Sequence, residues 1–138
     1  MKLGFACGIF DLFHAGHVLM LEECKSNCDY LIIGLNSGSQ IDYTINPGKN
    51  KPIYSLQHRK LILESCKYVD QVIVYHTEAE LELILKSNTI QVRFLGEDYK
   101  GKPITGGDYT PEIYYTNRGH GLSTSYYRNL ILSNLNEE

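Results

Sequence analysis

Two histidines, His14 and His17, stand three residues apart with a glycine, Gly16, between them. They close the stretch Gly8-Ile9-Phe10-Asp11-Leu12-Phe13-His14-Ala15-Gly16-His17. Residues at i and i+3 share a helix face, so a helix beginning near Ala15 or Gly16 would turn both imidazoles toward one pocket. Gly16 removes a side chain where a ligand would have to come close. The apolar run Leu3 to Cys7 ahead of this stretch reads as a buried strand, and Val18 to Asn27 behind it reads as a helix. A strand, a glycine-containing turn and a helix start bring free backbone N–H groups and the positive end of a helix dipole to one point. That point suits phosphate. The competing reading is two histidines that only cap a helix or fill a core.

The elements that would position this stretch follow from the rest of the chain. At 138 residues it is one domain, spanning 1–138, with enough length to bury roughly two-thirds of its unfolded surface. Hydrophobic residues at 43% and charged residues at 21% are ordinary for a globular protein. A net charge of −3 argues against a general nucleic-acid binder, so any anion site must be a local cluster of basic groups. No apolar run approaches the roughly 20 residues of a membrane span. Met1-Lys2-Leu3-Gly4 leads straight into a strand, so no signal peptide and a cytoplasmic location are expected. Cys24 and Cys28 are four apart on the first helix, where a metal pair is conceivable, but no second ligand pair accompanies them. Buried free thiols are the expectation for all four cysteines, Cys7 and Cys66 included.

Strands and helices then alternate. Asp29 to Leu35 is a second strand, with the apolar core Tyr30-Leu31-Ile32-Ile33. A polar loop over residues 36–54 precedes Ser55, an N-cap for a helix running to about Tyr68. Val69 to Tyr75 is a third strand, and Thr77 with Glu80 makes a capping box for a helix through Lys86. Gln91 to Leu95 is a fourth strand, followed by a loop with Gly96, Gly101, Gly106 and Gly107. Glu112 to Tyr115 is a short fifth strand, and Ser123 caps a last helix over about Thr124 to Leu135. Such alternation implies an α/β fold with a parallel sheet covered on both faces and right-handed crossovers. Ligands of such sheets sit at the carboxyl ends of the strands.

Three further stretches carry chemistry. Lys49-Asn50-Lys51 lies in the polar loop just before Pro52-Ile53-Tyr54-Ser55-Leu56-Gln57-His58-Arg59-Lys60. Two loop lysines alone would be a solvated surface. Gly96-Glu97-Asp98-Tyr99 ends the fourth strand, where Asp98 could simply cap a turn. Arg118-Gly119-His120-Gly121-Leu122-Ser123-Thr124-Ser125 feeds the last helix. There, hydroxyls and free N–H groups can hold phosphates, and Arg118 offers a planar charged fork. An N-cap explains Ser123 but not Arg118 five residues before it.

Taken together, G-x-F-D-L-x-H-x-G-H, K-x-K before Y/S-x-x-x-R-K, G-x-D-[WY] and R-x-x-G-[IL]-S-[ST]-[ST] resemble the cytidylyltransferase branch of the H-x-G-H nucleotidylyltransferase superfamily. The matches run from Gly8 to Ser125 and are most similar to glycerol-3-phosphate cytidylyltransferases. The resemblance implies a Rossmann-like, doubly wound five-stranded sheet of order 3-2-1-4-5, with the crevice between strands one and four. It implies transfer of CMP from CTP to a small phosphomonoester such as glycerol 3-phosphate, with Mg²⁺ bound mainly through the nucleotide phosphates, in a homodimer. His14, His17, Lys51 and Arg118 would be catalytic. Gly8, Ile9, Phe10, Lys49, Gly121, Leu122, Ser123 and Thr124 would join them around the nucleotide, and Asp11, Lys67, Asp98 and Tyr99 would meet the acceptor. No metal ligand is indicated. Three departures bear on the acceptor or its surroundings: Ile9 replaces a usual threonine, Lys67 a usual arginine, and residues 102–111 follow the glycerol-phosphate enzymes poorly. Two rival readings stay open: an adenylyltransferase of the same superfamily acting on a phosphorylated sugar or cofactor precursor, and a non-catalytic nucleotide-binding protein.

Overall fold

The computed structural model of the chain describes residues 1–39, 51–107 and 110–136. Five strands, β1 (Leu3–Gly8), β2 (Tyr30–Asn36), β3 (Gln71–Tyr75), β4 (Val92–Gly96) and β5 (Glu112–Thr116), form one sheet of order β3-β2-β1-β4-β5. Every pairing is parallel. The connections carry the helices α1 (Ala15–Ser26), α2 (Leu56–Glu64) and α3 (Glu78–Ser87), and α4 (Thr124–Asn136) follows β5. This is the Rossmann-like architecture expected, and the winding reverses between β1 and β4.

Alternation along β2 shows why both faces must be covered. Leu31, Ile33 and Leu35 join Leu21 and Cys24 of α1, Leu63 of α2, and Val92 and Phe94 in one core cluster. Ile32, one residue out of phase, packs with Phe5, Tyr75, and Leu81 and Leu85 of α3 in the other. A strand buried on both faces reads as a continuous apolar run, which is how the second strand reads in the sequence. Among the described residues no helix is long and apolar enough to cross a membrane.

The junction between the second helix and the third strand differs from expectation. The second helix stops at Glu64 rather than Tyr68. Ser65 Oγ donates to Leu61 O at 2.8 Å, and Val69 N to Cys66 O at 3.1 Å, turning the chain out of the helix. That turn lets Asp70 reach back, where its carboxylate accepts from Leu31 N at 2.8 Å and from Lys25 Nζ at 2.5 Å. The third strand accordingly begins at Gln71 rather than Val69. All four cysteines are free thiols, and burial raises the pKa of Cys24 and Cys28. Among the described residues no group of three or more His, Cys, Asp or Glu side chains could hold a metal ion.

Candidate active site

Among the described residues, two of the three non-glycine residues with positive φ lie in the turn between β1 and α1. Phe10 and Leu12 both lie in the left-handed region, at φ 52° and 49°. Non-glycine residues reach it at a cost of roughly 1–2 kcal/mol each. What holds them there is Asp11 between them. Its buried carboxylate accepts from Ile53 N at 2.7 Å and Tyr54 N at 2.9 Å, and pairs with Arg128 of α4 at 3.3 Å. From the other side, buried Arg59 of α2 donates to the carbonyls of Ile9 (3.0 Å), Asn36 (2.8 Å), Ser37 (2.9 Å) and Tyr54 (3.2 Å). The turn, the end of β2 and the start of α2 are thereby fixed to one another. Asp11, expected at the acceptor, anchors this turn and does not line the cavity described below. Its partners lie 42 to 117 residues away in the chain, so the short motif could not show them.

That anchored turn delivers the two histidines in a defined state. His14 is the N-cap of α1, and its Nδ1 accepts from Gly16 N at 3.0 Å. His17, at the third helical position, returns the arrangement: its Nδ1 accepts from His14 N at 3.1 Å. This is a capping box built from two imidazoles instead of Ser and Glu. Because each Nδ1 accepts, the proton of each neutral ring sits on Nε2, leaving two N–H donors beyond the helix start. The ring centroids are 3.9 Å apart, and Phe13 stacks on His17 at 5.2 Å. Burial, then the neighbouring His14 and Arg118, lowers the His17 pKa to about 4; burial and His120 also lower that of His14. Both rings are therefore neutral donors at physiological pH.

Gly16 is required by closeness. A Cβ there would lie 2.8 Å from His14 Cε1 and 2.9 Å from the Leu122 carbonyl. The second contact is with the loop that feeds α4. Ser123 caps that helix, its Oγ accepting from Tyr126 N at 3.0 Å. Thr124 Oγ1 lies 3.4 Å from both His14 Nε2 and the Asp11 carbonyl. Gly121, in the same loop, has φ 70°, which glycine adopts without strain.

The N-termini of α1 and α4 thus face one cavity of about 500 Å³ over the carboxyl ends of β1 and β4. His14, Gly16, His17, Tyr99, Arg118, Leu122, Ser123 and Thr124 line it, so the first and last motifs, far apart in the chain, form one site. Arg118 also pairs with Asp98 at 3.6 Å, and its backbone N–H donates to Glu97 at 3.2 Å, bringing the fourth-strand motif against the same wall. His120 is a wall residue that sequence reasoning passed over, and its Nδ1 accepts from Leu122 N at 2.9 Å. The other expected residues fall elsewhere. Gly8 ends β1, Ile9 and Phe10 belong to the turn itself, and Lys51 is exposed; none of the four lines the cavity. Lys49 lies outside the described residues. Lys67 is exposed and sits over the Tyr68 ring at 5.2 Å, away from the cavity.

A doubly wound parallel sheet, with an anion-receptive cleft at its switch point and two imidazole donors at the mouth, defines a Rossmann-like fold suited to binding phosphate. The comparison with known families agrees: the chain belongs to the cytidylyltransferase-like family, whose profile matches residues 5–130. The chain is 38% identical over 124 residues to the bifunctional protein HldE of Wolinella succinogenes, a match covering 90% of this chain and 26% of that protein. It is 37% identical over 129 residues to HldE of Caulobacter vibrioides, covering 91% of this chain and 26% of the relative. This chain thus spans about a quarter of the length of these relatives. Among solved structures, a lipopolysaccharide core biosynthesis protein from Thermoplasma volcanium superposes with a TM-score of 0.66 at 24% identity, covering 85% of this chain and 98% of that one.

Proposed function

We propose that the chain transfers a nucleotidyl group from a nucleoside triphosphate, CTP in the first instance, to a small phosphorylated acceptor with release of pyrophosphate. The observation that carries this reading is the imidazole capping box. It fixes two neutral Nε2–H donors beside Arg118 and the N-terminus of α4, where a triphosphate's charge would lie. A phosphate oxygen of the acceptor attacks the α-phosphorus, and the bond from that phosphorus to the bridging oxygen of pyrophosphate breaks in line. The attacking oxygen is already ionised, so the protein needs no general base. Its contribution is positioning and charge stabilisation.

In this reading His14 and His17 donate to the non-bridging and leaving oxygens. Arg118 and Lys51 oppose the charge on the departing pyrophosphate, with Lys49 expected alongside. Mg²⁺ supplies further neutralisation when bound. With no three-ligand cluster among the described side chains, the nucleotide phosphates would be its main ligands. Tyr99 borders the acceptor, and Asp98, held against Arg118, orients that wall. A homodimer belongs to the same proposal.

The test is pyrophosphate release with CTP and with ATP over a panel of phosphomonoesters that begins with glycerol 3-phosphate. Release that needs both a triphosphate and one ester of the panel supports the reading. Preference for ATP makes the chain an adenylyltransferase and keeps the mechanism. Release with no pair, by a protein that still binds nucleotide, overturns transfer in favour of nucleotide binding alone.

A further inference from the structure

The floor of the cavity holds a charged group that the nucleotide reading does not use. Arg93 is the second residue of β4, aligned with Phe5 of β1 in the centre of the sheet, and is 3% exposed. Its neighbours Val92 and Phe94 enter the core cluster shared with α1. The strand's two-residue period therefore sends Arg93 to the opposite face, toward α3. There it lines the cavity with Cys7, Tyr75, Glu78 and Leu81. Nε and Nη1 are buried with no hydrogen-bond partner, and Nη2 has only Cys7 Sγ at 3.9 Å. No carboxylate among the described residues lies within ion-pair distance: the four ion pairs join other residues, and Glu78 accepts from Thr105 instead.

A guanidinium buried without an anion is costly, and an apolar residue would fill the same space without that cost. The arrangement becomes favourable only when an anion enters the cavity. Its fork suits the two oxygens of a carboxylate or a phosphate. The nucleotide's phosphates have their own donors at the mouth, on the α1 side, whereas Arg93 sits three residues before the end of β4, roughly 10 Å deeper.

We propose that Arg93 is a specificity-determining residue that seats an anionic oxygen pair of the acceptor substrate at the floor of the cavity. The proposal rests on the nucleotidyl-transfer reading for the word acceptor, but the anion site itself is testable without turnover. The acceptor is then an acid held from below, by either the phosphate that attacks or a second acidic group.

The experiment uses wild type, Arg93→Met and Arg93→Gln, each with the nucleotide site filled by α,β-methylene-CTP, which cannot be transferred. Inorganic phosphate and acetate are titrated by thermal shift. Wild type should be stabilised by at least one of them. Both variants should bind that ion at least about tenfold more weakly while keeping their affinity for the nucleotide analogue. Without added anion Arg93→Met should melt no lower than wild type, because an unpaired buried charge has been removed. If Arg93→Met does not fold, Arg93→Gln carries the same comparison. A wild type that gains nothing from either ion, or variants that respond as wild type does, overturns the proposal while leaving nucleotide binding intact. In turnover, a variant that loses kcat with every acceptor places the attacking phosphate on Arg93. A rise in KM confined to acceptors bearing a second acid places that group there.

Discussion

The two connections that leave the neighbouring strands β1 and β4 are built in opposite ways. The turn after β1 is short and over-determined. Two left-handed residues are pinned by Asp11, and four carbonyls are gathered by Arg59. The connection after β4 opens with a short 3₁₀ turn, Glu97–Tyr99, with exposed residues, and among its described residues most side-chain ties are made at the surface: Arg118 to Asp98 and Glu97, Lys100 over the Tyr115 ring, and Thr105 to Glu78, with Thr110 Oγ1 to Gly106 O buried. The first presents groups whose geometry must not vary, the Nε2–H donors of His14 and His17. The second can change its residues without disturbing them. Rigid chemistry and adjustable selection occupy adjacent strands, and each can be perturbed separately.

The largest expected effect is on the anchor. Asp11→Ala leaves the Ile53 and Tyr54 N–H groups and the Arg128 guanidinium without their shared acceptor. Removing one partner of a buried, hydrogen-bonded charge typically costs about 3–5 kcal/mol. Chemical denaturation should show a loss of that order. A loss below about 1 kcal/mol would mean that the turn is held by something else.

Next comes His17→Ala. If its N–H stabilises charge that grows in the transition state, kcat should fall about 10²–10³-fold, roughly 3–4 kcal/mol, with little change in CTP affinity. A folded variant that binds CTP and turns over near the wild-type rate would remove His17 from the chemistry. The same side chain sets a pH signature. Its pKa is lowered from 6.5 to about 4 in the folded chain, so between those values the unfolded chain binds more protons. Its contribution to stability is complete above about pH 6.5 and is lost progressively as the pH falls toward 4. His14, also lowered, adds in the same direction. Melting temperatures across pH 4.5–7.5 should fall toward acid, and His17→Gln should flatten the slope; an unchanged slope would refute the assignment.

How much of this was legible in the sequence differs between the same two connections. The histidine stretch could be read because its spacing is local: a capping box spans three residues, and a strand, turn and helix follow in order. The joining of His14 to Arg118 came through resemblance, and the structure places both on the wall of one cavity. The expected second helix runs to Tyr68, whereas the helix ends at Glu64. Its pattern carried no information about Asp70, whose need to reach Leu31 ends the helix early. Asp11 was placed at the acceptor by the resemblance alone, since nothing local to the motif says what its carboxylate meets. Only the fold shows it meeting two N–H groups of a distant segment. Arg93 was silent for a different reason. One arginine in a five-residue strand suggests an edge or a surface, and nothing local says that β4 is flanked on both sides.

The adjustable side should show smaller, selective effects. Tyr99 is 46% exposed and lines the cavity opposite the histidines' helix. Tyr99→Ala should raise the acceptor KM about tenfold, equivalent to about 1.4 kcal/mol, with kcat and the KM for CTP nearly unchanged. Equal losses for both substrates would place Tyr99 on the nucleotide side and blur the division between the two connections.

The smallest effect is expected at Lys67, and it bears on assembly. Within one chain Lys67 lies over the Tyr68 ring at 5.2 Å, and the Tyr68 hydroxyl donates to Glu22 at 2.7 Å. This places the ammonium on the surface beyond α1, away from the cavity. An exposed cation–π contact is worth about 0.5–1 kcal/mol, so Lys67→Ala should lower stability by no more than that. If one chain makes a complete site, kcat and both KM values should stay within about twofold of wild type, a change under about 0.5 kcal/mol. If Lys67 instead reaches the cavity of a second copy, the variant should lose acceptor affinity. Mixing it with a His17→Ala chain should then restore part of the activity, because one mixed site would carry both intact groups. Kinetics of the variant alone and of the mixture, run across protein concentration with light scattering in parallel, separate these outcomes. A wild-type-like Lys67→Ala in a protein that scatters as a monomer would confine the site to the two connections of a single sheet.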